Sequence, residues 1–335
     1  MGRPVQVINE IIKGVKSITP DTAIQLEHVL GTPAHVWLNL ENDYQLTKAR
    51  LQEARELQEQ IFLLKDIPYA EMARLGWVRN VKKKTEQVRE LILFFSVSSL
   101  ADAFPSQDSG SGLVRERESA YGRTLAEEPS RMALAAWLRK GEIEAHRIRT
   151  VPYDEKRLKA SLNLFRELTR EVPPKFLQKL IALCAERGVA LVFVPSLPRM
   201  YAHSSTRWLS PGKALIQLSV RHKYDDTFWF SFFHGIGHIL LHGKREAFVE
   251  AERDGMAMNP EELEADKFAA DTLIPPREFR GFVSCPPFTK ANVIEFARAV
   301  GIAPSIVVGR LHYEGLLRES HLNGLRSKLE IKRGR

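Results

Sequence analysis

The run FWFSFFHGIGHILLHG at residues 228–243 constrains this chain more than any other stretch. It is apolar on every side, which suits a helix buried in a core rather than one lying on a surface. His234 and His238 interrupt it four residues apart, so both imidazoles fall on one face. Imidazoles inside an apolar helix are costly unless a ligand or a hydrogen-bonding partner satisfies them. Two readings follow: the pair grips a metal ion, or it is a hydrogen-bonded pair that binds nothing.

A metal site needs a third ligand, and a carboxylate on a second helix supplies it in one class of zinc site. The segment EELEADKFAADTLIPP at 261–276 contains the candidate. Glu264, Phe268 and Asp271 share a stripe, so a helix buried through Phe268 and Leu273 is expected to aim Glu264 at the pair. His242, followed by Gly243, reads as the last turn of the first helix, and His242 and Asp271 are expected to support the ligands from outside. In HExxH peptidases the residue after the first His is the general base Glu; here it is Gly235. Glycine cannot carry the proton, and loss of a positioned acid/base removes about 10² to 10⁴ in rate. Gly235 also costs the helix about 1 kcal/mol relative to Ala, as does Gly237.

The chain has 335 residues, enough for two domains or one with an appendage. Cys184 and Cys285 are the only cysteines and no CxxC occurs, which argues against a disulfide framework; both read as buried or half-buried thiols. No 18-residue apolar window and no signal-like start occur, so the expectation is a cytoplasmic protein without a membrane partner. The net charge is +8, and residues 310–335 hold seven Lys/Arg against three Asp/Glu, a basic tail at 321–335 read as a solvated end.

Punctuation divides the rest. Gly14, Thr19-Pro20, Gly31 and Thr32-Pro33 delimit three short helices in residues 1–45, the first with Val5, Ile8, Ile11 and Ile12 at helical spacing and the third with Val36, Trp37 and Leu40 inward. A charged helix over 43–60 opens a helical connector at 46–105, and SQDSGSG begins a flexible linker at 106–128. Helices at 129–140, 154–169 and 173–187 precede three β-rich runs at 190–197, 205–210 and 213–221, then the His helix at 225–242. The helix–Gly–helix rhythm at 291–317 offers almost only Ile, Val and Leu in its second helix, so it reads as packing rather than a DNA reader. The fold class expected is mostly α with a small sheet.

HGIGHILLHG, EADKFAADTLIP and VVGRL together resemble the ImmA/IrrE-type metallopeptidases, over roughly 180–320, within a domain placed at 129–320. The resemblance implies a zincin-like α+β fold, zinc as cofactor, His234, His238 and Glu264 as its ligands, and a regulator protein as substrate. Residues 2–45 resemble the later helices of an Xre-type helix-turn-helix of the HigA antitoxin kind, so residues 1–45 are expected to be a partial module lacking its first helix and most of its second. Pro4–Lys13 would then be the reading helix, with Gln6 and Asn9 for base edges and Arg3, Lys13 and Lys16 for phosphates of a DNA operator. The function expected is an antitoxin-like transcriptional regulator, a homodimer, that meets a regulator or toxin protein and cuts weakly or not at all. The alternative is an active zinc endopeptidase with another residue in place of the missing Glu.

Overall fold

Helices form at the front of the chain where the punctuation puts them. The computed structural model describes residues 4–103, 128–172, 175–200, 202–219, 224–244, 247–251 and 259–329. The chain divides into two units, one of residues 1–64 with 81–90, the other of 65–80 with 91–335. The first unit contains α1 (Val5–Ile12), α2 (Pro20–Leu30) and α3 (Ala34–Glu59). Thr19 caps α2 by accepting from the Thr22 amide, and Gly31 ends it at φ +72°, a conformation that only glycine adopts cheaply.

Two expectations fail in this unit. The third short helix and the charged connector are one continuous helix, because no Gly or Pro separates Leu40 from Asp43 and the Gln45 amide donates to Glu41 across the expected boundary at 2.7 Å. Of the residues expected inward on the third helix, Val36 and Trp37 are half-buried but Leu40 is exposed, and α1 buries no residue fully, with Val5 and Ile12 exposed and Ile8 and Ile11 half-buried. α2 buries only Thr22 and Ala23, so polar fastenings join the helices instead. Carboxylates of Glu41 and Glu27 accept from the Ile18 and Ala34 amides, and Trp37 donates to the Thr32 carbonyl.

The second unit is a small mixed sheet between helices. After α4 (Tyr69–Arg74), α5 (Lys84–Phe95), whose last turns belong here, and α6 (Leu100–Ala103) come α7 (Glu128–Arg147), α8 (Glu155–Ala160), α9 (Leu162–Leu168) and α10 (Lys175–Ala185). The strands are β1 (Val189–Phe193), β2 (Ala202–Ser210), β3 (Lys213–Leu218) and β4 (Ala247–Ala251), in the order β1-β3-β2-β4. β1 runs parallel to β3, and β2 is antiparallel to both β3 and β4. The β4 edge strand was not foreseen. Alternation along the strands gives the sheet two buried faces. Ala190, Val192 and Leu215 pack with Leu134, Trp137 and Leu138 of α7. Leu191, Ile216 and Leu218 pack into the larger core with α11 (Asp225–Leu241). Polar residues facing α7 are bonded: Gln217 donates to the Trp137 carbonyl at 2.7 Å and Arg207 to the Leu138 carbonyl at 2.6 Å.

The helical connector expected at 46–105 is therefore divided. Residues 65–80 and 91–103 belong to the second unit: Trp77 stacks on Phe94, and Arg139 of α7 donates to the Phe94 carbonyl. The linker expected at 106–128 lies outside the described residues except for Glu128, where α7 begins. α12 (Pro260–Leu273), α13 (Pro276–Val283), α14 (Lys290–Val300) and α15 (Pro304–Tyr313) complete the fold. Val293, Ala297, Ile306 and Leu311 enter the larger core, the packing role read from their composition.

The tail is not wholly a solvated end. Arg326 pairs with Asp226 at 2.9 Å and lies over the Tyr224 ring, Ser327 and Asp225 exchange hydrogen bonds, and Leu329 is buried. An arginine that finds a buried carboxylate and an aromatic face docks its segment. Residues 330–335 lie outside the described residues. Cys184 is fully buried and its thiol is pushed up by desolvation, whereas Cys285 is exposed, not half-buried as expected. Among the described residues, no single helix is long and apolar enough to cross a membrane.

Candidate metal centre

His234 and His238 sit in the middle of α11, 2% and 1% exposed. Their Nε2 atoms are 2.8 Å apart. Glu262 of α12 brings its carboxylate to 3.5 Å from His234 Nε2 and 3.7 Å from His238 Nε2. Ligand atoms of His234, His238 and Glu262 all lie within 4.8 Å of one another, and all three residues are buried.

The third member of this group is Glu262 and not the expected Glu264, and helix geometry explains the difference. Glu262, Ala265, Ala269 and Leu273 form the buried stripe of α12, spaced three and four apart. Glu264 lies two residues, about 200°, around the helix from Glu262, and its side chain is 65% exposed. Counting the stripe from Glu264 through Phe268 and Asp271 chose the neighbouring face. Ala265 and Ala269 were the available signal: two small residues four apart mark the side of α12 that approaches another backbone.

The outer partners fix the ring orientations. His234 Nδ1 donates to Asp266 Oδ1 at 2.8 Å, a contact that the sequence reading missed and that Glu-x-x-x-Asp spacing on α12 supplies. His242, the C-cap of α11, donates through Nε2 to Glu264 at 3.2 Å, and its Nδ1 is 2.9 Å from His238 Nδ1. The two Nδ1 atoms of His238 and His242 share one proton between them. His242 and Glu264 thus support His238 from outside, while Asp271, expected in that role, is bonded by Lys267 instead.

With their Nδ1 atoms engaged outward, both Nε2 atoms are turned toward each other and toward the Glu262 carboxylate. Such a convergence repels unless a proton or a cation lies within it, and two imidazoles with one carboxylate are a donor set of catalytic zinc sites. The residues fit a divalent metal. Phe248 of β4 closes one side, its ring stacked on His238 with centroids 3.8 Å apart.

Each glycine of α11 has a cause. A Cβ on Gly237 would stand 3.2 Å from the Ala265 backbone and 3.1 Å from Phe268, so this glycine lets α11 and α12 approach. A Cβ on Gly235 would meet Thr206 Oγ1 at 2.8 Å and Ile216 at 3.2 Å. Gly235 therefore faces the sheet at close range, a reason that its position in the sequence could not supply.

Residues 184–310 match the IrrE N-terminal-like domain, Peptidase_M78. The match runs from the end of α10 to α15 and takes in the whole sheet, both His and Glu262. No curated protein matches the chain. In the first unit, Gln6, Asn9, Lys13 and Lys16 are all exposed, with the Gln6 amide donating to Glu10 at 3.1 Å; Arg3 lies outside the described residues.

Proposed function

We propose that the IrrE-like domain is a zinc-holding binding module derived from a peptidase frame, within an antitoxin-like transcriptional regulator, and that it cuts polypeptides poorly or not at all. The close packing of Gly235 against Thr206 and Ile216 carries this reading. A carboxylate at that position displaces the Thr206 and Ile216 side chains, which already meet a Cβ there. The two other acids beside the pair have tasks: Glu262 faces both Nε2 atoms and Asp266 holds His234. Zinc bound there supplies a Lewis acid that polarises a carbonyl. His234, His238 and Glu262 would hold that zinc, and as its ligands none of them would be free to carry the proton to a leaving amine. The exposed Gln6, Asn9, Lys13 and Lys16 support a DNA-facing role for α1, in which Gln and Asn suit adenine.

The test uses purified full-length chain, its zinc content, and the regulator encoded beside its gene. The expected result is about one equivalent of zinc, lost in His238→Ala, with binding of the regulator and no discrete cut. A zinc-dependent cut by the wild type that His238→Ala abolishes would overturn the reading in favour of the active endopeptidase. Less than about a tenth of an equivalent of zinc would remove the metal.

A further inference from the structure

The chain leaving α11 is fastened by one lysine. Lys244 stands two residues after His242, and its Nζ donates to the carbonyl of Pro211, in the turn between β2 and β3, at 3.0 Å. The same ammonium lies 4.5 Å from the centre of the Trp208 ring of β2 and 5.0 Å from that of Tyr153. The two rings meet edge to face with centroids 4.7 Å apart, and both pack against the larger core. Tyr153 is itself held: its amide donates to the Gly212 carbonyl, and its backbone leaves no room for a Cβ on Gly188. Lys244 therefore enters a box whose walls come from β2, the β2–β3 turn and the segment before α8. A cation within about 6 Å of an aromatic face is attracted by the ring, and here two faces and a carbonyl converge on one ammonium.

The residues on either side of Lys244 tie this box to the metal centre. Before it, His242 meets His238 through their Nδ1 atoms, 2.9 Å apart. Four residues after it, Phe248 stacks on the His238 ring at 3.8 Å and stands 5.2 Å from the His242 ring. Two contacts that orient His238 thus come from residues that Lys244 separates. β4, which carries Phe248, has five residues and pairs on one side only, with β2. Its Phe248 is the register partner of Thr206, two residues before Trp208 on the same strand. The lysine anchors the exit from α11 to the strand that also places Phe248.

We infer that Lys244 is a positioning residue for His238: its hold on Trp208, Tyr153 and Pro211 keeps His242 and Phe248 against the imidazole, and so keeps Nε2 turned toward Glu262. The metal half of this role rests on the reading of the centre as a zinc site. Its geometric half, the fastening of β4, does not.

Two variants of the full chain test it. Lys244→Met keeps the aliphatic stem and loses the charge and the donor, whereas Lys244→Arg keeps both and stacks well on aromatic faces. Lys244 as a whole is exposed, so the effect is modest: the Met variant should hold zinc about three- to tenfold more weakly, and the Arg variant as the wild type does. Loaded with cobalt(II), whose visible bands follow ligand geometry, the Met variant should give a shifted spectrum and the Arg variant an unshifted one. In zinc-free protein, hydrogen exchange of the β4 amides should quicken in Lys244→Met while that of α7 stays as it was. Wild-type zinc affinity and an unshifted cobalt spectrum in Lys244→Met overturn the inference. Faster exchange in α7 and β4 alike also overturns it, because that marks general destabilisation. A wild type that takes up neither zinc nor cobalt overturns the metal centre alone, and the exchange of β4 then decides the fastening: quicker in Lys244→Met upholds it, unchanged overturns it.

Discussion

At the scale of single residues, Gly235 and Asp226 make measurable statements. Gly235→Ala gains about 1 kcal/mol of helix propensity but forces a methyl to 2.8 Å from Thr206 Oγ1, an overpacking that costs about 1–3 kcal/mol. The overpacking should win, and Thr206→Ala should relieve it. A double-mutant cycle in urea is expected to show the pair more stable than the sum of the single changes; strict additivity would mean that the two side chains do not meet. Asp226 is buried, and desolvation holds its carboxyl above the usual aspartate range while Arg326 pulls it back. A raised carboxyl contributes stability that is complete below the ordinary aspartate value and is lost as pH rises through the folded one. Arg326→Met raises it further and leaves a buried carboxylate unpaired at neutral pH, a loss of about 3 kcal/mol or more. The melting-temperature gap between wild type and variant should therefore be wider at pH 7 than at pH 4. An equal gap at both would remove the pair from the account.

At the scale of elements, α12 is where the centre is decided. Glu262→Gln should abolish measurable zinc binding, whereas Glu264→Gln, acting only through His242 on His238, should weaken it by about tenfold at most. Competition with a zinc-binding dye separates the two, and comparable losses would contradict the placement of Glu262. The same helix shows how far sequence reasoning reached. The His pair, the extent of α11 and the place of His242 at its end were legible, because a four-residue spacing inside an apolar run admits one geometry. The choice between Glu262 and Glu264 was not, since both fit a helix and only the approach of Ala265 to Gly237 tells which face is covered. β4 was illegible for a related reason. Five residues at a sheet edge are fixed by pairing with β2 rather than by their own pattern.

At the scale of the whole molecule, composition located the helical front and the mixed rear but not the seam between them. Residues 65–80 and 91–103 are helical and interrupted by charge, so they read as connector, yet Tyr69, Met72, Leu91 and Phe95 are buried in the second unit's share of the chain. A fragment starting at residue 129 loses this layer. It should unfold at a lower temperature than one starting at residue 65, or fail to stay in solution. Coincident unfolding curves would show that the layer adds no stability.

The stacking of Phe248 on His238 carries one more consequence, magnetic rather than energetic. With the two rings nearly parallel at 3.8 Å, the imidazole protons of His238 sit within the ring current of the phenyl group. Their resonances are expected to move upfield, with His242, 5.2 Å from the same phenyl ring, moving less, so that lines in a proton spectrum report on the centre from inside a 38.1 kDa chain.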